Sequence, residues 1–283
     1  MAIRKSNGTP AVQPARQQAV ATTGPADMSA FGTISKSDVI MPRLKLLQGM
    51  SPEVKSDPRA AIQGEFWHTG LGECIGDNLS IIPVLKQDTT WDLWDDRDGA
   101  GGLLAQADEE GRWLNGAENK ELVIGRRKVF TDANMYKSGL NQFGSSDPNN
   151  PRSKPLLAET YRIILWLVDY PEASPVMFIA SRMLGVRVKE LLTRMQYRNG
   201  SGTPFYRQVF EMRSNLDRYK SNEYFTPHFS PLPPLEDDEL AQRIKAANAA
   251  LQGRRIKVED DAAEDSGPRG PRGPVDASEK ASY

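Results

Sequence analysis

Apolar and polar positions change their spacing several times along the chain, and each change marks an element. The stretch "LSIIPVLKQDTTWDLW" (79–94) begins as an apolar run and then alternates. It predicts one strand or a bent pair of strands, with Pro83 at an edge or a bulge. "LVIGRRKVF" (122–130) predicts another short strand, and "SGLNQFGSSDPNNPRSKPL" (138–156) is dense enough in Gly, Asn, Ser and Pro to be a loop. "TYRIILWLVDY" (160–170) is apolar on both faces in its middle, the mark of a central strand. After the turn "PEAS", "PVMFIAS" (175–181) returns as its antiparallel partner. The period then lengthens: Val188, Leu191, Leu192 and Met195 recur at helical spacing within 185–198, and the pattern stops at "NGSGTP". Alternation resumes in "FYRQVFEMRSN" (205–215), with Tyr206, Gln208, Phe210 and Met212 opposite Arg207, Val209, Glu211 and Arg213, and "EYFTPHF" (223–229) closes the series.

A last periodic segment runs from about Asp237 to Gln252. Acids come first, then Leu240, Ile244, Ala247 and Leu251, then Gly253 and a basic cluster, the charge order of a helix. The order strand, strand, strand, helix, strand, strand is that of an OB-type barrel. The expected fold is therefore mainly β with α: an OB-like five-stranded barrel with a helix between strands 3 and 4, a C-terminal helix and disordered termini. A different α+β sheet with the same element order is the alternative.

Composition sets the boundaries. Hydrophobic residues make up 39 % of the 283, with a mean hydropathy of −0.54, as for a core diluted by polar ends. Residues 1–38, from their Pro, Gln, Ala and Thr content, read as a flexible arm that cannot bury enough surface to fold, 39–257 as the folded domain, and 258–283 as a disordered acidic tail. No stretch approaches the ~18 apolar residues of a membrane span, and the N-terminus has no apolar core of a secretory signal. One cysteine, Cys74, excludes an internal disulfide and fits a reducing cytoplasm; two histidines, His68 and His228, argue against a histidine-rich metal site. No metal and no cofactor are expected.

Charge changes the picture once it is divided by region. The net charge is −1, but 182–220 holds nine basic residues against three acidic ones. From Val258 on, seven acids face three bases. The basic segment is the strongest electrostatic feature of the chain and suits an anionic partner.

Candidate chemistry follows from these patches. In "TTWDLWDDRDGAGG" (89–102), an EF-type calcium loop fails at both ends: with Gly99 as its glycine, Trp94 and Ala105 occupy the terminal ligand positions. A metal-dependent nuclease would rest on Asp95 and Asp96, with no other convergent acids visible. As a recognition loop the stretch is better, because Trp91 and Trp94 offer stacking faces and Arg97 sits beside a flexible glycine run. Their odd separation puts the two tryptophans on opposite strand faces, so at least one belongs to the core. Arg126, Arg127 and Lys128 form a second basic group. Phosphate contacts are assigned to these and to Arg182, Arg187, Lys189, Arg194, Arg198, Arg207 and Arg213, with Tyr206 and Tyr224 as further stacking candidates. No phosphate loop and no nucleophile elbow occurs, so no enzyme activity is expected.

At "IMPRLKLLQGMSPEV", "GEFWHTGLGE", "IIPVLKQDTTWDLWDDRDGAGG" and "ILWLVDYPEASPVMFIASRMLGVRVKELL", over roughly residues 40 to 255, the chain resembles a group of tailed-phage proteins, some of them described as single-stranded DNA-binding proteins. The resemblance implies a barrel-like body, no metal, no catalysis and an acidic tail for partner recruitment. In the broader phage group the tail is acidic to an aromatic end. Here Tyr283 is last, while the dense acids Glu259, Asp260, Asp261, Glu264 and Asp265 lie upstream. The expected function is binding of single-stranded DNA with little sequence preference during phage replication or recombination, with phage or host replication and recombination proteins as partners of the tail. The alternatives are a phage structural or assembly protein that docks an acidic partner, and the nuclease.

Overall fold

A computed structural model describes residues 41–57, 59–95, 102–125, 127–219 and 222–253. The chain divides into Met1–Val39 and Ile40–Tyr283, and every described residue belongs to the second unit. The proposed arm and tail lie outside the described residues.

The apolar run at 160–170 forms β9 (Ala158–Leu167), and it is a central strand. Tyr161, Ile163, Leu165 and Leu167 are buried on one face, Ile164 and Trp166 on the other. The bent pair read from 79–94 is also present. β4 (Asn78–Lys86) pairs with the C-terminal half of β9, and β5 (Thr90–Trp94) pairs with its N-terminal end. Gln87 bridges them by donating its N–H to Arg162 O at 2.9 Å. Pro83 stands at a register shift between Pro83 and Leu85, where a missing N–H leaves no ladder position empty. β10 (Val176–Ser181) returns along the other edge of β9.

Two helices sandwich this sheet. α3 (Arg182–Gly200) lays Val188 and Leu191 on the Ile163 face, while α4 (Asp238–Leu251) lays Ile244 on the Trp166 face. Asp237 caps α4 by accepting from Leu240 N at 2.9 Å, which satisfies one of the free N–H groups of its first turn. Beyond β4 the sheet continues through β11 (Phe210–Tyr219) to β12 (Asn222–Pro231). Beyond β10 it continues through β1 (Arg43–Leu46), which pairs parallel to β10, then β2 (Phe66–His68) and β3 (Glu73–Cys74). A short α1 (Pro52–Ser56) lies between β1 and β2.

A small lobe completes the chain. β6 (Leu103–Ala107) pairs with β5, and β7 (Glu121–Ile124) with β8 (Arg127–Phe130) forms a separate two-stranded hairpin. With α2 (Met135–Ser138) and the 139–157 loop these enclose a core of Leu93, Ala105, Ile124, Val129, Met135, Leu140 and Leu157.

The expected five-stranded barrel is corrected: the protein is mainly β with a few helices, and a ten-stranded mixed sheet curls into a half-barrel. The N-terminal strands are the reason. β1, β2 and β3 have four, three and two residues, too few to show a period, yet they extend the sheet past β10 and keep it from closing there. The curl instead brings β12 to a seam beside the exit of β1. There the Gln48 side chain takes the place of a strand: Nε2 donates to Phe225 O and Oε1 accepts from Phe225 N, both at 2.9 Å. Gly64, at φ +89°, leaves the room that the Phe225 ring fills; a Cβ there would lie 2.5 Å from it. The helix between the third and fourth expected strands and the C-terminal helix stand where the sequence puts them. Two finer expectations are corrected. Residues 122–130 are two strands turning at Gly125 (φ +60°), and Phe205–Arg207 is a 3-10 turn, so the next strand starts only at Phe210.

Candidate functional site

The basic segment is largely turned inward. Pro231, Pro233 and Pro234 leave "FSPLPPL" (229–235), the end of β12 and the strap that follows it, with few N–H groups. Its carbonyls still need donors, and three arginines supply them. Arg194 donates to Phe229 O, Arg198 to Leu232 O at 2.8 Å and Arg207 to Leu235 O at 2.7 Å. Arg198 also donates to Val209 O at 2.9 Å and lies over the Phe210 ring, and Arg207 pairs with Asp238. Arg187 is held by Glu190 at 3.2 Å and Asp217 at 3.1 Å. Lys189 bonds Glu159 at 2.7 Å. Arg182, at φ +53° on the first turn of α3, and Arg213 on β11 are exposed and form no ion pair among the described residues. Tyr206 packs edge-on against Phe205 beneath Lys245, and Tyr224 is half-buried on β12.

The small lobe has the opposite character. Alternation puts Trp91 and Leu93 against its core, while Trp94 is 40 % exposed. Asp92, between them, is fully buried on the other face. It accepts from Thr90 at 2.8 Å, Gln106 at 3.0 Å and Arg162 of β9 at 3.1 Å, which fixes the lobe to the body. Asp95 accepts from Gly125 N at 3.2 Å, and Arg127 donates to Ser145 O at 2.7 Å. These two bonds tie Trp94, the β7–β8 turn and the loop bearing Phe143 together. On the open face of the hairpin, Val123 and Phe130 flank Lys128, which pairs with Glu121 at 2.7 Å. That carboxylate holds the ammonium above its ordinary pKa, so it stays charged. Tyr136 is also exposed, its hydroxyl donating to Glu109 O. Arg97 and Arg126, and the tail residues Glu259, Asp260, Asp261, Glu264, Asp265 and Tyr283, lie outside the described residues, as does Asp96 of the nuclease alternative.

Sequence reasoning missed an open groove of ≈ 700 Å³ along α3. Lys86 and Lys189 stand over the Tyr161 ring at its near end, 6.0 and 5.6 Å from the centroid. Leu192, Met195 and Phe205 give it an apolar wall, and Gln196, Asn199 and Gln208 give it amides. Glu159 accepts from both Lys189 and the Tyr161 hydroxyl at 2.7 Å. That bond first, and the phenol second, keep the Lys189 pKa above its ordinary value; burial pushes the Tyr161 phenol up. One signal of the groove was present in the sequence: Gln208 is the polar member of the otherwise apolar row Tyr206, Phe210, Met212. Nothing in the spacing placed Lys86 beside a helix a hundred residues later.

Among the described residues, no group of three or more His, Cys, Asp and Glu side chains is placed to hold a metal ion, and no helix is long and apolar enough to cross a membrane. A family model described as "Pam3 phage gp34-like protein" matches residues 12–257. Searches of curated proteins and of solved structures find no match. The chain belongs to the Pam3 phage gp34-like family.

Proposed function

We propose that this phage-family protein binds single-stranded DNA through its small lobe, in the host cytoplasm during replication or recombination. One observation carries the reading. Of six exposed aromatic side chains among the described residues, four (Trp94, Phe130, Tyr136 and Phe143) belong to the lobe, and Phe130 flanks Lys128 on its hairpin. Open rings next to cations suit unpaired bases on a phosphate chain, and each stacked base contributes about 1–3 kcal/mol. Every base has a stackable face, so little sequence preference follows. Among the described residues of the set assigned to phosphate contacts, Arg182 and Arg213 are exposed with no ion pair. The acidic tail is the proposed docking segment for replication and recombination proteins.

The test is a titration with oligo-dT and with a matched duplex, at low and high salt and without Mg²⁺, following tryptophan emission. Trp94 is the exposed one among the five tryptophans. Quenching by the single strand alone, weakening with salt, is the expected result. No response to either nucleic acid overturns the proposal. It would then favour an assembly protein, for which the exposed Met183, Val186 and Tyr197 of α3 offer an apolar contact surface.

A further inference from the structure

We infer that α3 is a self-association surface: two copies of the chain pack α3 against α3, antiparallel, about a two-fold axis between Glu190 and Thr193. The surface is separate from the lobe, so the dimer stands whether or not the lobe binds DNA.

The helix is apolar on two sides. Leu184, Val188, Leu191, Leu192 and Met195 pack on the body. A surface helix ordinarily turns charged and polar residues to its opposite side. Here that side carries Met183, Val186 and Tyr197, exposed by 50, 49 and 76 %. With Glu190, Thr193 and Gly200 they form one row, whose steps alternate three and four from Met183 to the end of the helix. That repeat is the one by which a helix keeps a single seam against another helix.

Charge and size select a second copy and the antiparallel direction. Arg182 is exposed on the first turn of α3, the positive end of the helix dipole, and no acid accompanies it there. In an antiparallel pair it reaches the negative, C-terminal end of the other α3, where a cation is favoured. Successive layers then set Met183 over Gly200 of the second copy, Val186 over its Tyr197 and Glu190 over its uncharged Thr193. Large side chains meet small ones, and Lys189 at the flank comes level with Gln196 of the second copy. Arg187 and Arg194 are held within their own chain, by Glu190 and Asp217 and by Phe229 O. A parallel pair would stack Glu190 on Glu190 and gather both Arg182 side chains at the positive ends. One exposed helix face of this length buries on the order of 500 Å² per partner, against about 800 Å² for a standard interface. The dimer is therefore weak, with a dissociation constant of roughly 10–100 μM.

Sedimentation velocity on the full chain tests the pairing. The mass should rise from 31.4 kDa toward twice that value as the concentration increases from about 1 to about 300 μM. M183E and Y197E should each raise the dissociation constant roughly tenfold or more. Their urea midpoints at monomeric concentration should stay unchanged, since both side chains are exposed. Direction is read with a short bismaleimide on a C74S background. V186C/Y197C should cross-link between copies, while V186C alone and Y197C alone should not. Within one chain these positions are roughly 16 Å apart along the helix, beyond the reagent's reach. A chain that stays monomeric over the whole range, a dimer indifferent to M183E and Y197E, or cross-linking of either single variant overturns the inference. Neither Met183 nor Tyr197 belongs to the lobe, so oligo-dT quenching of M183E and Y197E reports on the DNA reading separately from the dimer.

Discussion

In the body, arginine side chains run inward to main-chain carbonyls and carboxylates, and most of the aromatic rings are packed. In the lobe, four aromatic rings face solvent, one of them on a hairpin beside an exposed lysine. Both regions draw on the same residue types, and by sequence the body is the more basic of the two. The difference lies in what each backbone lacks. The end of β12 and the proline strap after it (229–235) have few donors of their own and draw in Arg194, Arg198 and Arg207. The β7–β8 ladder satisfies its own backbone and leaves its outer side chains at the surface, where Lys128 pairs with Glu121. Positive charge along a sequence thus becomes a surface potential only where the backbone makes no demand on it.

The strongest way to break the comparison is at the joint between the regions. R162M leaves the buried Asp92 carboxylate without its cation, and such a loss costs about 3–5 kcal/mol. Urea unfolding should show that drop; a change within about 0.5 kcal/mol, typical of surface substitutions, contradicts the buried pair. Next comes a reciprocal pair. R198M removes two charge-assisted bonds to Val209 and Leu232 carbonyls, so stability should fall by about 1.5–3 kcal/mol with oligo-dT affinity unchanged. W94L should do the reverse, lowering affinity by about 1–3 kcal/mol with an unchanged urea midpoint. Exchange of the two phenotypes would invert the comparison. The smallest effect is on pH dependence. The Thr226 hydroxyl first, and Arg187 after it, hold the Asp217 carboxyl below its ordinary pKa. Its folded pKa being depressed, the stabilisation is present above the unfolded value of about 3.9 and disappears as pH falls through the folded one. Between pH 5 and pH 2, D217N should therefore lose less stability than the parent chain, as followed by acid unfolding.

Elements with a clear period were legible: β9 as a doubly buried centre, the β4–β5 bend, α3 and α4. Strands of two to four residues were not, because one or two alternations cannot be told from a loop. The fold class therefore came out too small, and the half-barrel shape depends on those short strands. At the candidate site, the opposite faces of Trp91 and Trp94 followed from strand alternation. The inward turn of Arg194 and Arg198 did not, since helical spacing separates them from the apolar stripe but cannot tell solvent from a neighbouring strap. "FSPLPPL" held the missing information, as a segment whose carbonyls must find donors elsewhere.

The seam at Gln48 has a consequence for how the molecule breathes. Along most of the half-barrel, neighbouring strands are held by ladders that open only together. At the seam, the hydrogen bonds of the Phe225 backbone run to one amide side chain, 177 residues away in the chain, beside the packing of the Phe225 ring on Gly64. One side-chain rotation can release both of its bonds, with no ladder to unzip. The Phe225 amide hydrogen should therefore exchange with solvent through a local opening, well before the β9 amides, which are released only when the whole sheet comes apart.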